Sequence, residues 1–96
     1  MNPNMLNKLK KIQKQMMEAQ EALERKEFFG KASGVTVIMQ GTRQVIDVQN
    51  NPEILEEVDM LQDAILLAVN DALKQIDKEQ EETMSQFSGG MGGFGF

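Results

Sequence analysis

The sequence has 96 residues, a net charge of −5, and no cysteine, histidine, tryptophan or tyrosine. Disulfides, the usual zinc ligands and the side chain most used for acid–base catalysis near neutral pH are therefore excluded. No apolar run reaches the roughly 18 residues that cross a bilayer, and the first residues lack the pattern of a secretory signal. We expect one small, cytoplasmic, non-enzymatic domain with no metal, no cofactor and no membrane contact.

The charge is distributed unevenly along the chain. Residues 1–31 carry seven basic and four acidic side chains, whereas residues 32–96 carry three basic and eleven acidic ones. The first seventeen residues contain Lys8, Lys10, Lys11 and Lys14 and no carboxylate. Local patches matter more than net charge for docking, so this basic segment is compatible with a phosphate backbone although the chain is acidic.

The first predicted element is a long helix. Asn2 followed by Pro3 is typical of an N-cap with proline at the first helical position. Apolar residues then recur at alternating spacings of four and three, which places them on one narrow helix face. They are Met5, Leu9, Ile12, Met16, Ala19 and Leu23.

The middle of the chain predicts an antiparallel hairpin or a three-stranded sheet. Residues 35–39 and 45–48 are rich in β-branched residues, with a turn at Gln40-Gly41 between them. Phe28-Phe29 could begin a further strand, ahead of a polar link between Gly30 and Gly34. A lone hairpin is marginal in water, so these strands must pack against helices.

Asn51-Pro52 repeats the capping pattern and predicts a second helix from Pro52 to about Met84. Its main apolar stripe is predicted at Ile54, Val58, Leu61, Ile65, Ala68, Ala72 and Ile76. A second apolar patch on another side indicates burial on two sides, which one small sheet cannot provide, so we expect a homodimer. The candidate dimer interface comprises Met17, Met60, Ala64, Leu66 and Leu67.

Length and composition predict one domain over residues 1–84 and a disordered Gly/Met/Phe-rich tail over residues 85–96. A helix of some thirty residues spans roughly 50 Å, whereas a compact chain of about 100 residues has a radius of gyration near 13 Å. The second helix should therefore project from the body or lie along a partner chain.

Two features that resemble chemical sites have simpler explanations. The carboxylates between Glu53 and Asp63 lie in the first turns of the second helix, where negative charge favours the helix dipole, and we interpret them as a solvated face. The glycine-rich stretch 89–95 follows a helix and lacks the Lys-Ser/Thr of a phosphate-binding loop.

Several segments, in order and spacing, resemble the YbaB/EbfC family of bacterial nucleoid-associated proteins over nearly the whole chain. They include the Met-, Lys- and Gln-rich first helix (residues 5–27), the link Phe29-Gly30-Lys31-Ala32-Ser33-Gly34, and Val35-Thr36-Val37 with Gly41 at the turn. Pro52-Glu53-Ile54-Leu55-Glu56, the stretch 61–76 with Ala68-Val69-Asn70-Asp71-Ala72, and the Gly/Phe-rich C-terminus complete the set.

The resemblance implies an α+β fold of order α-β-β-β-α, intertwined as a homodimer with projecting helical arms. It also implies binding of double-stranded DNA with little sequence preference, a role in nucleoid organisation and gene regulation, and a DNA-metabolism protein as a candidate further partner. The candidate DNA contacts follow from charge alone and are Lys8, Lys10, Lys11, Lys14, Arg25, Lys26, Lys31 and Arg43.

The alternative is a helical adaptor or holdase-like dimer that does not bind DNA. Such a protein would hold a protein partner through exposed methionine and leucine side chains, and its acidic second helix would repel nucleic acid.

Overall fold

The computed structural model describes the backbone of residues 2–90 and the side chains of residues 2–87. The order is helix α1 (Pro3–Arg25), strands β1 (Glu27–Ala32), β2 (Val35–Gln40) and β3 (Val45–Asn50), the short 3-10 helix η1 (Pro52–Glu56), and helix α2 (Val58–Gly90). The predicted α-β-β-β-α order and the three-stranded alternative are confirmed.

Helix α1 begins as the sequence predicts. The Asn2 side chain accepts a hydrogen bond from the backbone N–H of Met5 at 2.8 Å, and Pro3 occupies the first helical position. The helix ends at Arg25 because Lys26 already has extended backbone angles, so Glu27 belongs to β1. Of the predicted apolar stripe, only Leu23 is buried in the protomer.

The sheet is antiparallel with the order β1-β2-β3. Ser33 and Gly34, both with positive φ, form a tight turn, so Lys31 and Ala32 pair within the sheet and are not part of a link. The turn at Gln40-Gly41 is confirmed, and a register shift lies beside Met39. Helix α2 packs across one face of β1 and β2.

Two positions require glycine because backbones approach closely there. A Cβ atom on Gly30 would lie 2.0 Å from the carbonyl oxygen of Ala68, and one on Gly41 would lie 1.8 Å from that of Leu23. Gly41 also donates its N–H to the carbonyl of Lys26 at 2.9 Å. The absence of a side chain at Gly30 lets α2 pack closely on β1. The absence of one at Gly41 lets the β2–β3 turn contact the end of α1.

The core consists of two adjacent clusters along α2. One contains Leu23, Phe28, Met39, Ala72 and Ile76, and the other contains Val35, Val37, Ile54, Ala64 and Ala68. The small side chains of α2 face the sheet at intervals of four residues, which permits the close approach at Gly30.

The predicted second helix needs three corrections. Residues 52–56 form a 3-10 turn, although the Asn51 side chain accepts from the N–H of Glu53 as expected of a cap. Val58 and Ile65, assigned to the buried stripe, are exposed, and Ala64 takes that place. Helix α2 continues to Gly90, so residues 85–90 do not belong to a disordered tail. The remainder of that predicted tail, residues 91–96, lies outside the described residues.

The protomer is elongated, with extents of 67 × 25 × 11 Å and a Cα radius of gyration of 19.0 Å. This exceeds the value of about 13 Å for a compact chain of similar length. The expectation that helices project from the body is therefore correct for the protomer.

Candidate nucleic-acid interface

The basic residues fall into two groups that differ in their surroundings. Lys8, Lys10, Lys11 and Lys14 are exposed on the first half of α1. Successive helical residues are turned by about 100°, so Lys10, Lys11 and Lys14 lie on the side opposite Met5, Leu9 and Ile12. We call these four lysines the arm lysines. Lys10, Lys11 and Lys14 form a one-sided positive surface, and Lys8 lies nearer the apolar stripe, on a helix that has no carboxylate before Glu18.

The second group lies where α1, the β2–β3 turn and α2 meet. The Lys26 ammonium is 2.5 Å from Glu79 and lies 5.5 Å from the centre of the Phe28 ring. The Arg43 guanidinium is 2.5 Å from Asp77 and donates a further hydrogen bond to Gln80 at 3.1 Å. Both cations are therefore already paired with acidic residues of α2.

Arg25 and Lys31 complete the predicted set. Arg25 is exposed in the last turn of α1. Lys31 is exposed on the sheet face opposite α2, and its backbone N–H is bonded to Asp71. The structure thus gathers Arg25, Lys26 and Arg43 near the C-terminal end of α1, whereas Lys31 lies near the far end of β1.

The partners of Lys26 and Arg43 were not identified from the sequence. Asp77, Glu79 and Gln80 are more than thirty residues away along the chain and carry no local signal of pairing. All three follow Ile76, the last buried residue in the described part of α2. From there their side chains can contact the end of α1 and the β2–β3 turn.

The residues predicted to form the dimer interface differ in their exposure. Met17, Met60, Leu66 and Leu67 are each at least half exposed. Ala64 is 1% exposed and packs in the protomer's own core, so its assignment to an interface is wrong. Periodicity placed Ala64 correctly on an apolar side of α2 but could not tell which side meets the sheet.

Other kinds of site have little support in the part of the chain described. Within residues 2–90, no three acidic side chains are grouped as metal ligands would be. Over the same residues, neither α1 nor α2 is both long and apolar enough to cross a membrane.

Comparison with known proteins identifies relatives of this chain among bacterial nucleoid-associated proteins. A nucleoid-associated protein of Enterococcus faecalis is 45% identical over 94 residues, covering 94% of this chain and 90% of that protein. One from Oceanobacillus iheyensis is 45% identical over 98 residues, covering 95% and 94% of the two chains. One from Mycolicibacterium vanbaalenii is 40% identical, covering 95% and 86%.

The fold matches a solved structure as well. The crystal structure of the uncharacterized protein HP0035 from Helicobacter pylori superposes with a TM-score of 0.73 and 20% identity, covering 90% of this chain and 96% of that one. At this identity the match establishes the fold alone. Residues 1–91 match the YbaB/EbfC DNA-binding family, which is not an enzyme family. With this match and relatives 45% identical over nearly their full length, the chain belongs to the YbaB/EbfC DNA-binding family.

Proposed function

We propose that the protein binds double-stranded DNA as a homodimer, with little sequence preference, through the arm lysines. The single observation that carries this proposal is the contrast between the two basic groups. Among the described residues the arm lysines are exposed and none of them forms an ion pair, whereas Lys26 and Arg43 are engaged by Glu79 and Asp77. The arm lysines are thus the cations best placed to replace the counterions of a phosphate backbone.

The arrangement favours contact with phosphates over reading of bases. Lysine contacts phosphate as a point charge, and phosphate contacts position a protein without conveying sequence. Lys10, Lys11 and Lys14 cover one side of α1, and a helix can lie along the backbone of a DNA strand. Arg25 would add a contact at the C-terminal end of α1 and Lys31 one on the sheet, and Lys26 and Arg43 would add contacts only by exchanging their carboxylate partners.

A homodimer supplies two such arms. Met17, Met60, Leu66 and Leu67 leave apolar area exposed that a second copy could cover. Two arms double the phosphate contacts, and linking two sites raises affinity by effective concentration without any new contact. The dimer would work in the cytoplasm on the nucleoid, contributing to its organisation and to gene regulation, with a DNA-metabolism protein as a further partner.

The test is fluorescence anisotropy with two duplexes of unrelated sequence over a range of salt concentrations. If about six phosphates are contacted, affinity should fall roughly a thousandfold between 50 and 200 mM salt, equally for both duplexes. The double variant Lys11→Glu/Lys14→Glu should abolish binding. The matched control Lys74→Glu/Lys78→Glu changes the net charge by the same amount on α2 and should weaken binding far less.

Equal losses in the two double variants would show that net charge, and not the arm, governs binding. No binding at 50 mM salt would sink the DNA proposal. The adaptor alternative would then be the one to pursue, through Met17, Met60, Leu66 and Leu67.

A further inference from the structure

The first turns of α1 extend beyond the helix on which α1 packs. Helix α1 approaches the sheet and α2 leaves it, and residues 19–26 and 79–86 line a groove between the two helices. Sixteen residues of α1 (3–18) precede this groove, about 24 Å at 1.5 Å per residue. Four described residues of α2 (87–90) follow it, about 6 Å. The start of α1 therefore projects past the described part of α2.

This projecting start carries exposed apolar side chains. Met5 and Leu6 are 54% and 44% exposed, and Leu9, one turn further on, is partly exposed. At about 100° per residue, the three side chains occupy an arc of about 100° around the helix. An apolar arc of this width normally faces a core or another apolar medium. We call Met5, Leu6 and Leu9 the tip face.

Lysine side chains border the tip face on both sides. Lys8 lies about 60° around the helix from Met5, and Lys10 lies about 40° from Leu6 at the other border. The other two arm lysines lie on the opposite side of the helix, and no carboxylate precedes Glu18. Lysine at such a border can lay its stem along apolar surface and keep its ammonium group in a polar layer. This pattern is typical of a helix that lies in the surface of a bilayer.

We propose that the tip face binds the surface of a bilayer that contains anionic lipids, with the start of α1 lying in the plane of the interface. Such helices bind through buried apolar area together with attraction between lysines and anionic headgroups. The expectation of no membrane contact followed from the lack of a bilayer-spanning run, which an interfacial helix does not need. The inference goes beyond DNA binding and does not depend on it.

Charge favours a lipid surface over the other occupants of the tip face. Two tip faces in contact would bring together the four arm lysines of each chain, with no carboxylate among the first seventeen residues of either to offset them. DNA phosphates bind lysines but make no use of apolar side chains. An anionic bilayer matches both features, and it leaves Lys11 and Lys14 on the side of α1 that faces water, where they remain available to DNA.

A single introduced tryptophan tests the contact directly, because the chain has no tryptophan or tyrosine of its own. Leu6→Trp places the fluorophore on the tip face, and Asn7→Trp places it at the next residue, which is exposed and lies on the polar side. Vesicles of equimolar phosphatidylglycerol and phosphatidylcholine should shift the emission of the Leu6→Trp variant to shorter wavelength and leave that of the Asn7→Trp variant nearly unchanged. Vesicles of phosphatidylcholine alone should shift neither.

A pair of double variants with equal charge separates apolar contact from electrostatics. Met5→Glu/Leu6→Glu and Asn4→Glu/Asn7→Glu each add two negative charges to the first two turns of α1. In flotation with the anionic vesicles, the first should reduce the bound fraction about tenfold and the second far less, because only the first removes apolar contact. The two variants should bind DNA equally in the anisotropy titration, since their charges are the same.

Three results would overturn the proposal. One is an unshifted Leu6→Trp emission with anionic vesicles, and another is an equal loss of flotation in the two double variants. The third is a Leu6→Trp emission that is already at short wavelength without vesicles. The tip face would then be covered by a second copy if dilution reverses the effect, and by the same chain if it does not. The salt titration measures DNA binding separately, so failure of either function leaves the other standing.

Discussion

The carboxylate of Asp71 accepts a hydrogen bond from the backbone N–H of Lys31 at 3.0 Å, so a helix side chain closes the outer edge of β1. One turn further along α2, Gln75 donates to the carbonyl of Phe29 at 2.8 Å and to Asp71 at 3.2 Å. An open strand edge invites pairing with another chain, and these two side chains protect β1 from it.

Replacing Asp71 with alanine should therefore release the Lys31 amide. We expect a loss of about 1 kcal/mol in the free energy of unfolding, because the bond is partly solvated, and faster hydrogen exchange at Lys31. Urea denaturation and amide exchange measure the two effects. Asn70→Ala, an exposed neighbour, serves as control. Unchanged exchange at Lys31 would contradict the role given to Asp71.

Adding a methyl group at Gly30 should destabilise the whole domain. Because that Cβ would lie 2.0 Å from the Ala68 carbonyl oxygen and 2.7 Å from the Ala72 nitrogen, α2 must move off the sheet. We expect Gly30→Ala to lower the free energy of unfolding by about 3 kcal/mol, at the upper end for overpacking. Lys31→Ala, next in the strand but exposed, should cost far less. Similar thermal midpoints for the two variants would count against the close approach.

The two basic groups should differ in their effect on salt dependence. Lys11→Ala should reduce the slope of log affinity against log salt by about two, because each of the two arms of the dimer loses one phosphate contact. Arg43→Ala should change that slope much less, since its guanidinium is engaged by Asp77. Anisotropy titrations over a series of salt concentrations give the slopes. A larger change for Arg43→Ala would reverse the assignment of the two groups.

The ion pair between Arg43 and Asp77 should contribute only a small coupling free energy to the stability of the fold. Both side chains are more than a third exposed, so a double-mutant cycle should give about 0.2–1 kcal/mol, decreasing with added salt. The cycle uses Arg43→Ala, Asp77→Ala and the double variant. Coupling well above this range, or independent of salt, would mean that the pair is shielded from solvent.

Much of the fold followed from local chemistry. Asn2-Pro3 and Asn51-Pro52 mark the starts of helical segments because side-chain capping and proline geometry act within three residues. The β-branched runs at 35–39 and 45–48 indicated strands because β-branched side chains favour the extended backbone of a sheet. The structure explains the residues of the segment Ala68-Val69-Asn70-Asp71-Ala72. Ala68 and Ala72 permit the close approach of α2 to Gly30, and Asp71 accepts a hydrogen bond from the N–H of Lys31.

What the sequence did not predict depends on distant partners. Val58 and Ile65 share the helical spacing of a buried stripe, but periodicity cannot tell a side of α2 that meets the sheet from a side that stays exposed. Lys26 and Arg43 looked as free as the arm lysines until the fold brought Glu79 and Asp77 beside them. Charge counting along a sequence cannot separate cations that are paired across the fold from those that are not.

Because Gly41 closely approaches Leu23, the β2–β3 turn determines the angle at which α1 leaves the sheet. Helix α1 is 23 residues long, or about 35 Å. A tilt of about 10° at its base would sweep the far end through roughly 6 Å, as the length of the helix dictates. A bulkier residue at position 41 would thus displace the arm lysines without contacting them. The position of these lysines therefore depends on the packing between the β2–β3 turn and the end of α1.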